Sequence, residues 1–258
     1  MPHPTLLVHR NADVLAEAVC ARLLTRLVDV QAAGRTPRWV LTGGTVADKV
    51  HRALARSPAK HAVDWSRVEL WWGDERFVAS RDSDRNDLQA RDALLDSIPV
   101  APTLVHPMPA QDSPGADPDS AAEQYAAELA QAAAAEDHDG IPVFDVLMLG
   151  VGPDGHVASL FPERPALYDE GVVVAVRGAP KPPPTRLSMT MRTLQHAREV
   201  WFVVAGEDKA AAVRMALSGA GVTQVPAAGP RGQARTLWLL DRAAAAELPA
   251  GLNRIASP

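Results

Sequence analysis

Four short polar stretches carry the residues best suited to chemistry. His156 stands in G-V-G-P-D-G-H (150–156), directly after the apolar run V-F-D-V-L-M-L. An imidazole at such a position can titrate near neutrality and serve as a general base. The bland alternative is a histidine that only closes a turn. Asp154, two residues earlier, orients that ring, binds a substrate hydroxyl, or is simply a turn residue. Thr42-Gly43-Gly44-Thr45 separates an apolar run from a helical pattern. Free amides at a helix start, flanked by two hydroxyls, form a natural phosphate cradle, although a tight βα turn reads the same way. In G-D-E-R (73–76), Arg76 offers a planar fork to an anion or a developing oxyanion, unless Asp74 and Glu75 hold it in a surface ion pair. Lys181 and Arg186 lie in K-P-P-P-T-R, where proline stiffens the backbone and would hold two cations at defined positions. Of 26 basic residues only Lys49, Lys60, Lys181 and Lys209 are lysines, so Lys181 is not there by compositional default.

The elements that must position these residues follow an alternating βα pattern. T-L-L-V-H (5–9) reads as a first strand, and Asn11 is suited to cap a helix with Val14, Leu15, Val19, Leu23, Leu24 and Leu27 at helical spacing. R-W-V-L-T leads into Gly43-Gly44 and a helix through 47–54. V-E-L-W-W leads into G-D-E-R, followed by a helix over roughly 86–95. An alanine-rich helix over 120–135 precedes a strand at 143–149, and V-V-V-A-V, R-E-V-W-F-V-V-A and R-T-L-W-L-L supply later strands, with a helix near 209–217. Strands alternating with helices predict parallel βαβ units. The expected fold is therefore α/β: a single domain over 1–258, with a mostly parallel Rossmann-like sheet and helices on both faces. Irregular segments at 107–119, 178–184 and 226–232 are too short to read as interdomain linkers. In such a sheet the ligand lies at the carboxyl ends of the strands, which would gather the four polar stretches on one rim.

Composition narrows the partners. A net charge of −5 provides no basic field for nucleic acid or an anionic membrane surface. No apolar run approaches spanning length, the start of the chain has no signal-peptide layout, and the single Cys20 cannot form an internal disulfide, so a cytoplasmic protein is expected. Monomer and homodimer are both compatible with the sequence. Gly150, Gly152 and Gly155 satisfy G-x-G-x-x-G, yet Pro162 would stop the required helix after about a turn and a half, and the following strand ends in Arg177 rather than an acid. A dinucleotide is therefore not expected. A Walker motif, a G-x-S-x-G elbow and H-E-x-x-H are all missing from the sequence, leaving no cofactor and no metal expected. Instead, His156 is expected at the start of a short helical turn, A-S-L-F, on the sheet rim.

Together these stretches resemble one family. G-V-G-P-D-G-H-V-A-S-L-F-P is similar to the signature of the 6-phosphogluconolactonases, usually G-x-G-x-D-G-H-T-A-S-L-F-P. L-T-G-G-T resembles their phosphate loop, G-D-E-R-F-V with D-S-D-R-N-D their second block, and P-K-P-P-P-T-R-L-S their third. V-W-F-V-V-A-G-E-D-K-A resembles their late strand and helix. Val157 replaces the common threonine, Val46 stands where proline often follows the phosphate loop, and Ala79 replaces a frequent proline; none of these carries the chemistry. The resemblance implies a fold of the sugar-phosphate isomerase and deaminase type, a sugar-phosphate lactone as substrate, and hydrolysis without a cofactor. On this reading His156 activates water and Arg76 supports the oxyanion. Gly43, Gly44, Thr45, Lys181 and Arg186 grip the phosphate, while Asp74, Asn86 and Asp154 recognise hydroxyls or orient the cations and the imidazole. Two alternatives remain. A glucosamine-6-phosphate deaminase or aldose-ketose isomerase would typically read A-F-N-E-P after D-G-H, whereas Glu163 here falls one place late. A non-catalytic sugar-phosphate sensor would need a DNA-binding module, for which no basic helix-turn-helix segment is seen.

Overall fold

The computed structural model describes residues 3–256 except 116, 136, 138, 139, 250 and 253. In chain order the elements are β1 (Thr5–His9), α1 (Ala12–Ala32), β2 (Arg38–Leu41), α2 (Thr45–Arg56), β3 (Glu69–Trp72), β4 (Asp74–Arg76), α3 (Asn86–Ala93), β5 (Val105–His106) and α4 (Pro118–Ala132). Then come β6 (Phe144–Leu149), β7 (Val173–Val176), β8 (Arg186–Met189), β9 (Ala197–Val204), α5 (Ala210–Leu217), β10 (Arg235–Asp241) and β11 (Arg254–Ala256), with short 3₁₀ turns between.

The main sheet has the order β11-β1-β10-β9-β6-β2-β3-β5, and every neighbouring pair in it is parallel. Its central strands, β10, β9, β6, β2 and β3, are buried on both faces and read as near-continuous apolar runs, as parallel strands require. Successive side chains point to opposite faces. Thus Leu70 and Trp72 of β3 join the core under α1 and α2, with Trp39 and Trp201, while Trp71 between them joins the opposite core with Phe144, Trp238, Tyr125 of α4 and Val213 of α5. The Asn11 side chain accepts from the amide of Val14 at 2.9 Å and so caps α1 as its residue type predicts.

The structure corrects one expectation about the sheet. V-V-V-A-V does not extend the parallel run. It forms β7 in a separate three-stranded antiparallel sheet, β4-β8-β7, in which Arg76 pairs with Arg186 and Val176 also pairs with Arg186. The stretch G-D-E-R is accordingly not a loop but a glycine leading into strand β4. This small sheet fixes the Arg76 and Arg186 stretches in register with each other.

On α2, His51 is 3% exposed and packs edge-on against Trp39 at 5.8 Å between ring centroids, with no partner for Nε2 among the described residues. Burial drives its pKa down to about 4, with Asp48 pulling weakly the other way. In the unfolded chain an ordinary histidine takes up its proton near pH 6.5, so the unfolded state binds more protons between pH 6.5 and 4. The stability that this neutral ring contributes is complete above pH 6.5 and is lost as pH falls to 4, by about 3 kcal/mol. Urea unfolding of the protein and of His51→Leu at pH 7 and pH 4 checks this. The variant should lose less stability on acidification by that amount, and parallel curves would refute it.

Candidate active site

A cleft of about 380 Å³ opens at the carboxyl ends of the central strands. Its walls come from the loop after β2, strand β4, the loop after β6, the 181–186 segment and the end of β9. From β2 the chain moves outward through β3 to β5, whereas from β6 it moves the other way through β9 to β10. The two glycine loops therefore flank the switch point of the sheet, where a parallel α/β fold leaves its crevice.

On one side, Gly43 and Gly44 lead into α2. Gly44 is the N-cap and offers no side-chain bond, so the first amides of the helix face the cleft without an internal partner. Thr45, Val46 and Ala47 line the wall beside them. Gly43 admits no side chain: a Cβ there would lie 1.9 Å from Oδ1 of Asn86. Asn86, the first residue of α3, has both ends of its amide engaged. Nδ2 donates to the Asp74 carbonyl at 2.9 Å, and Oδ1 accepts from Nη1 of Arg76 at 2.6 Å. Arg76 also donates to the Asp84 carbonyl at 2.7 Å. Neither adjacent acid is hydrogen-bonded to its guanidinium. Asp74 instead accepts from the Ser159 hydroxyl at 2.7 Å, which ties β4 to the histidine loop. Among the described residues neither Nε, which is buried, nor Nη2 of Arg76 has a hydrogen-bond partner, and the residue lines the cleft, so Nη2 is the donor left for something bound there.

On the other side, the loop after β6 delivers His156. Gly152 donates to the His156 carbonyl at 3.0 Å and Gly155 to the Gly152 carbonyl at 2.9 Å, closing a compact turn. The Nδ1 of His156 lies 2.5 Å from Oδ1 of Asp154. A Cβ on Gly152 would intrude to 2.0 Å from that Nδ1 and 2.5 Å from the carboxylate, so the ring and acid can meet only over a glycine. Burial works against ionising Asp154, but its bond to His156, the charge of that ring and Lys181 outweigh it and hold the pKa near 2. An ionised acceptor at Nδ1 places the ring proton there and leaves Nε2 as the basic nitrogen. Asp154 itself does not line the cleft, whereas His156 does. The expected helical turn after His156 is absent. Val157 and Leu160 instead close a tight turn by a backbone bridge, with Ala158 forced to φ 49° against the cleft wall. Glu163 is exposed and lies outside the cleft lining.

The 181–186 stretch contributes two cations in different ways. Lys181 is exposed at the cleft, its charge acting on Asp154, and its ammonium makes no hydrogen bond or close ion pair among the described residues. Arg186 is buried, and its guanidinium turns back to donate to the carbonyls of Pro183, Lys181 and Pro182, each at 3.1 Å. Burial lowers its pKa, opposed by Asp74. Its side chain shapes the loop that presents Lys181 and also lines the cleft. Lys209, beside the start of α5, adds a further cation to the same wall, paired with Asp208. The sequence offered one signal for it, its rarity as a lysine. All of His156, Arg76, Asp74, Asn86, Gly43, Gly44, Thr45, Lys181 and Arg186 thus reach one cleft, with Asp154 directly behind the imidazole.

By fold the molecule is an α/β protein of the sugar-phosphate isomerase and deaminase type. The chain belongs to the family described as glucosamine-6-phosphate isomerases/6-phosphogluconolactonase, whose profile matches residues 10–238. It is 57% identical over 256 residues to the 6-phosphogluconolactonase of Streptomyces coelicolor, covering 98% of each chain. Over 241 residues it is 46% identical to that of Mycobacterium tuberculosis, covering 93% of this chain and 96% of the relative. Among solved structures, 6-phosphogluconolactonase from Trypanosoma brucei superposes with a TM-score of 0.83 at 28% identity, covering 95% of this chain and 99% of that one. No helix among the described residues is long and apolar enough to cross a membrane.

Proposed function

We propose that this chain is a carboxylic ester hydrolase that converts 6-phospho-D-glucono-1,5-lactone to 6-phospho-D-gluconate, the second step of the oxidative pentose phosphate pathway. The observation that carries the reading is the His156–Asp154 pair at one wall of a cleft whose other walls carry unpaired amides, Arg76, Lys181 and Lys209. An imidazole with its basic nitrogen free meets the need of ester hydrolysis, and the cationic walls meet the need of a phosphate. The exposed position of Glu163, away from the cleft, leaves the acid expected of a deaminase without access to a sugar ring there.

The lactone is already an activated ester, so no covalent nucleophile is required. His156 Nε2 accepts a proton as water attacks the ring carbonyl. Arg76 donates to the oxygen as it becomes an oxyanion. When the tetrahedral intermediate collapses, the ring C–O bond breaks and the leaving oxygen takes the proton back from the imidazolium, yielding the open acid. Asp154 keeps Nδ1 protonated throughout and stabilises the charged ring. The phosphate, remote from the reacting carbon, is held by the amides at Gly43, Gly44 and Thr45 and by Lys181, with Arg186 holding that lysine's loop in shape. Asp74 and Asn86 orient the wall that carries Arg76. Because the grip on the phosphate fixes where the carbonyl sits, it contributes to rate as well as affinity.

The direct test follows freshly prepared lactone with and without the protein, with ammonia release from glucosamine 6-phosphate measured in parallel. Accelerated loss of lactone supports the reading; ammonia release with no acceleration would replace it with deamination. Lys181→Ala should raise KM about tenfold or more, the loss expected for one charge-assisted contact to phosphate. An unchanged KM would remove Lys181 from the phosphate site.

A further inference from the structure

Glu75 has no part in the chemistry above, yet it is the most deeply buried acid beside the cleft, at 0% exposure. Side chains alternate along β4, so Asp74 and Arg76 line the cleft while Glu75 points away from it. There its carboxylate meets the start of α3. Oε1 accepts from the amide of Asn86 at 2.7 Å and from the amide of Arg76 at 2.8 Å, and Oε2 accepts from the amide of Asp87 at 2.9 Å. Arg85 approaches Oε2 to 3.7 Å, and its guanidinium is fixed in turn by Asp87 and by the Met108 carbonyl, each at 2.7 Å. Helix α3 has no side-chain cap at its own N-cap residue, Arg85. A carboxylate from another element fills that role, satisfying amides that would otherwise be orphaned.

Burying ions in this way gives little net stability, because desolvation offsets most of the attraction. What the arrangement delivers is position. Asn86 is pinned through its amide nitrogen, and its side chain is the link between the Asp74 carbonyl, the Arg76 guanidinium and the close approach to Gly43.

We propose that Glu75 is a positioning residue for the reaction: by capping α3 from β4 it fixes Asn86, and through Asn86 it holds the Arg76 guanidinium where the oxyanion forms. The inference rests on the role given to Arg76 above. A carboxylate is required rather than a polar group in general, because every partner is an N–H donor. Burial is the largest influence on the Glu75 carboxyl and pushes it up to about 8, with Arg85 and the helix amides pulling it down. The geometry nonetheless is that of a carboxylate, because both oxygens accept from N–H donors. Glutamine has the same shape but would turn an NH₂ either toward the Asp87 amide or toward those of Asn86 and Arg76, displacing the start of α3 that carries Asn86.

The experiment is a double-mutant cycle on lactone turnover with wild type, Glu75→Gln, Arg76→Ala and the pair. Glu75→Gln is expected to lower kcat about tenfold to a hundredfold, as loss of a supporting contact or a displacement near an ångström does. Added to Arg76→Ala it should cost nothing further, since its effect passes through that guanidinium. A lesion of the fold in general would multiply with Arg76→Ala instead, and that result, or a wild-type kcat in Glu75→Gln, overturns the proposal. Should Glu75→Gln not fold, Asn86→Ala enters the same cycle with the carboxylate and its amide bonds left in place. The same non-additive loss supports the linkage, and a wild-type kcat overturns it. Failure of the lactonase reading itself would show earlier, as a wild-type protein that does not accelerate lactone hydrolysis.

Discussion

Replacing His156 with alanine is expected to slow lactone turnover by about a hundredfold or more, the usual contribution of a general base, while 6-phosphogluconate still binds. The reason lies in the loop after β6. Among the described residues no other imidazole lines the cleft, and the acid at 2.5 Å from Nδ1 leaves His156 with its other nitrogen free to take the proton of water. Binding should survive because the groups proposed to hold the phosphate, the 43–45 amides and Lys181, stand on other elements. Turnover measured against the uncatalysed rate, with product affinity measured by calorimetry, separates the two effects. Near wild-type turnover would show that water is activated elsewhere, and lost product binding would show that the ring holds substrate rather than reacting. Asp154→Asn should fall between wild type and His156→Ala, because the amide can still orient the ring yet no longer stabilises its charged form.

Much of this site was legible in the sequence because its loops are punctuated by residues with few backbone alternatives. The glycines, Pro153 and Asp154 after a six-residue apolar strand announce a sharp turn, and the histidine that follows has nowhere to go but the rim. Thr42 to Thr45 reads the same way. The parallel sheet followed from apolar runs that alternate with helical periods, since runs buried on both faces have no polar side. The antiparallel β4-β8-β7 sheet was not legible. Its strands are three or four residues long, and β4 pairs with β8 across more than a hundred residues of chain, so local pattern carries no trace of the partner. The helical turn expected after His156 failed for a related reason. A-S-L-F has helical composition, but the bridge between Val157 and Leu160 and the bond from Ser159 to Asp74 hold it in a tighter turn.

Side-chain direction was the other thing hidden. Arg186 close after three prolines reads as a cation held out at a defined position for a phosphate, whereas in the folded chain the carbonyls of 181–183 claim its donors. Lys209 sits in E-D-K, which reads as an ordinary charged helix start, and only the end of β9 brings it to the cleft. Asn86 offered no signal that both ends of its amide would be engaged, because its partners Asp74 and Arg76 belong to a strand that the sequence does not announce.

Arg76→Ala carries the second large effect, an expected fall in kcat of about a hundredfold to a thousandfold, the loss found when one oxyanion donor is removed. The geometry favours such a role over simple phosphate binding. One edge of the guanidinium is held by two neutral acceptors, the Asp84 carbonyl and Asn86, so the group is oriented without its charge being neutralised. Its remaining donors have no partner among the described residues, and the two acids that precede it, Asp74 and Glu75, are engaged with other groups. A preoriented, uncompensated cation acts most strongly where negative charge appears only in the transition state. Arg76→Ala should therefore reduce kcat and kcat/KM alike, with little change in KM, whereas Lys181→Ala changes KM first. Arg76→Lys should recover little of the loss, because a single ammonium cannot both hold Asn86 and reach the reacting oxygen. Steady-state kinetics on the three variants decides the matter. If Arg76→Ala raises KM while leaving kcat intact, the guanidinium belongs to the phosphate site, and the oxyanion must be met by main-chain amides of the histidine loop instead.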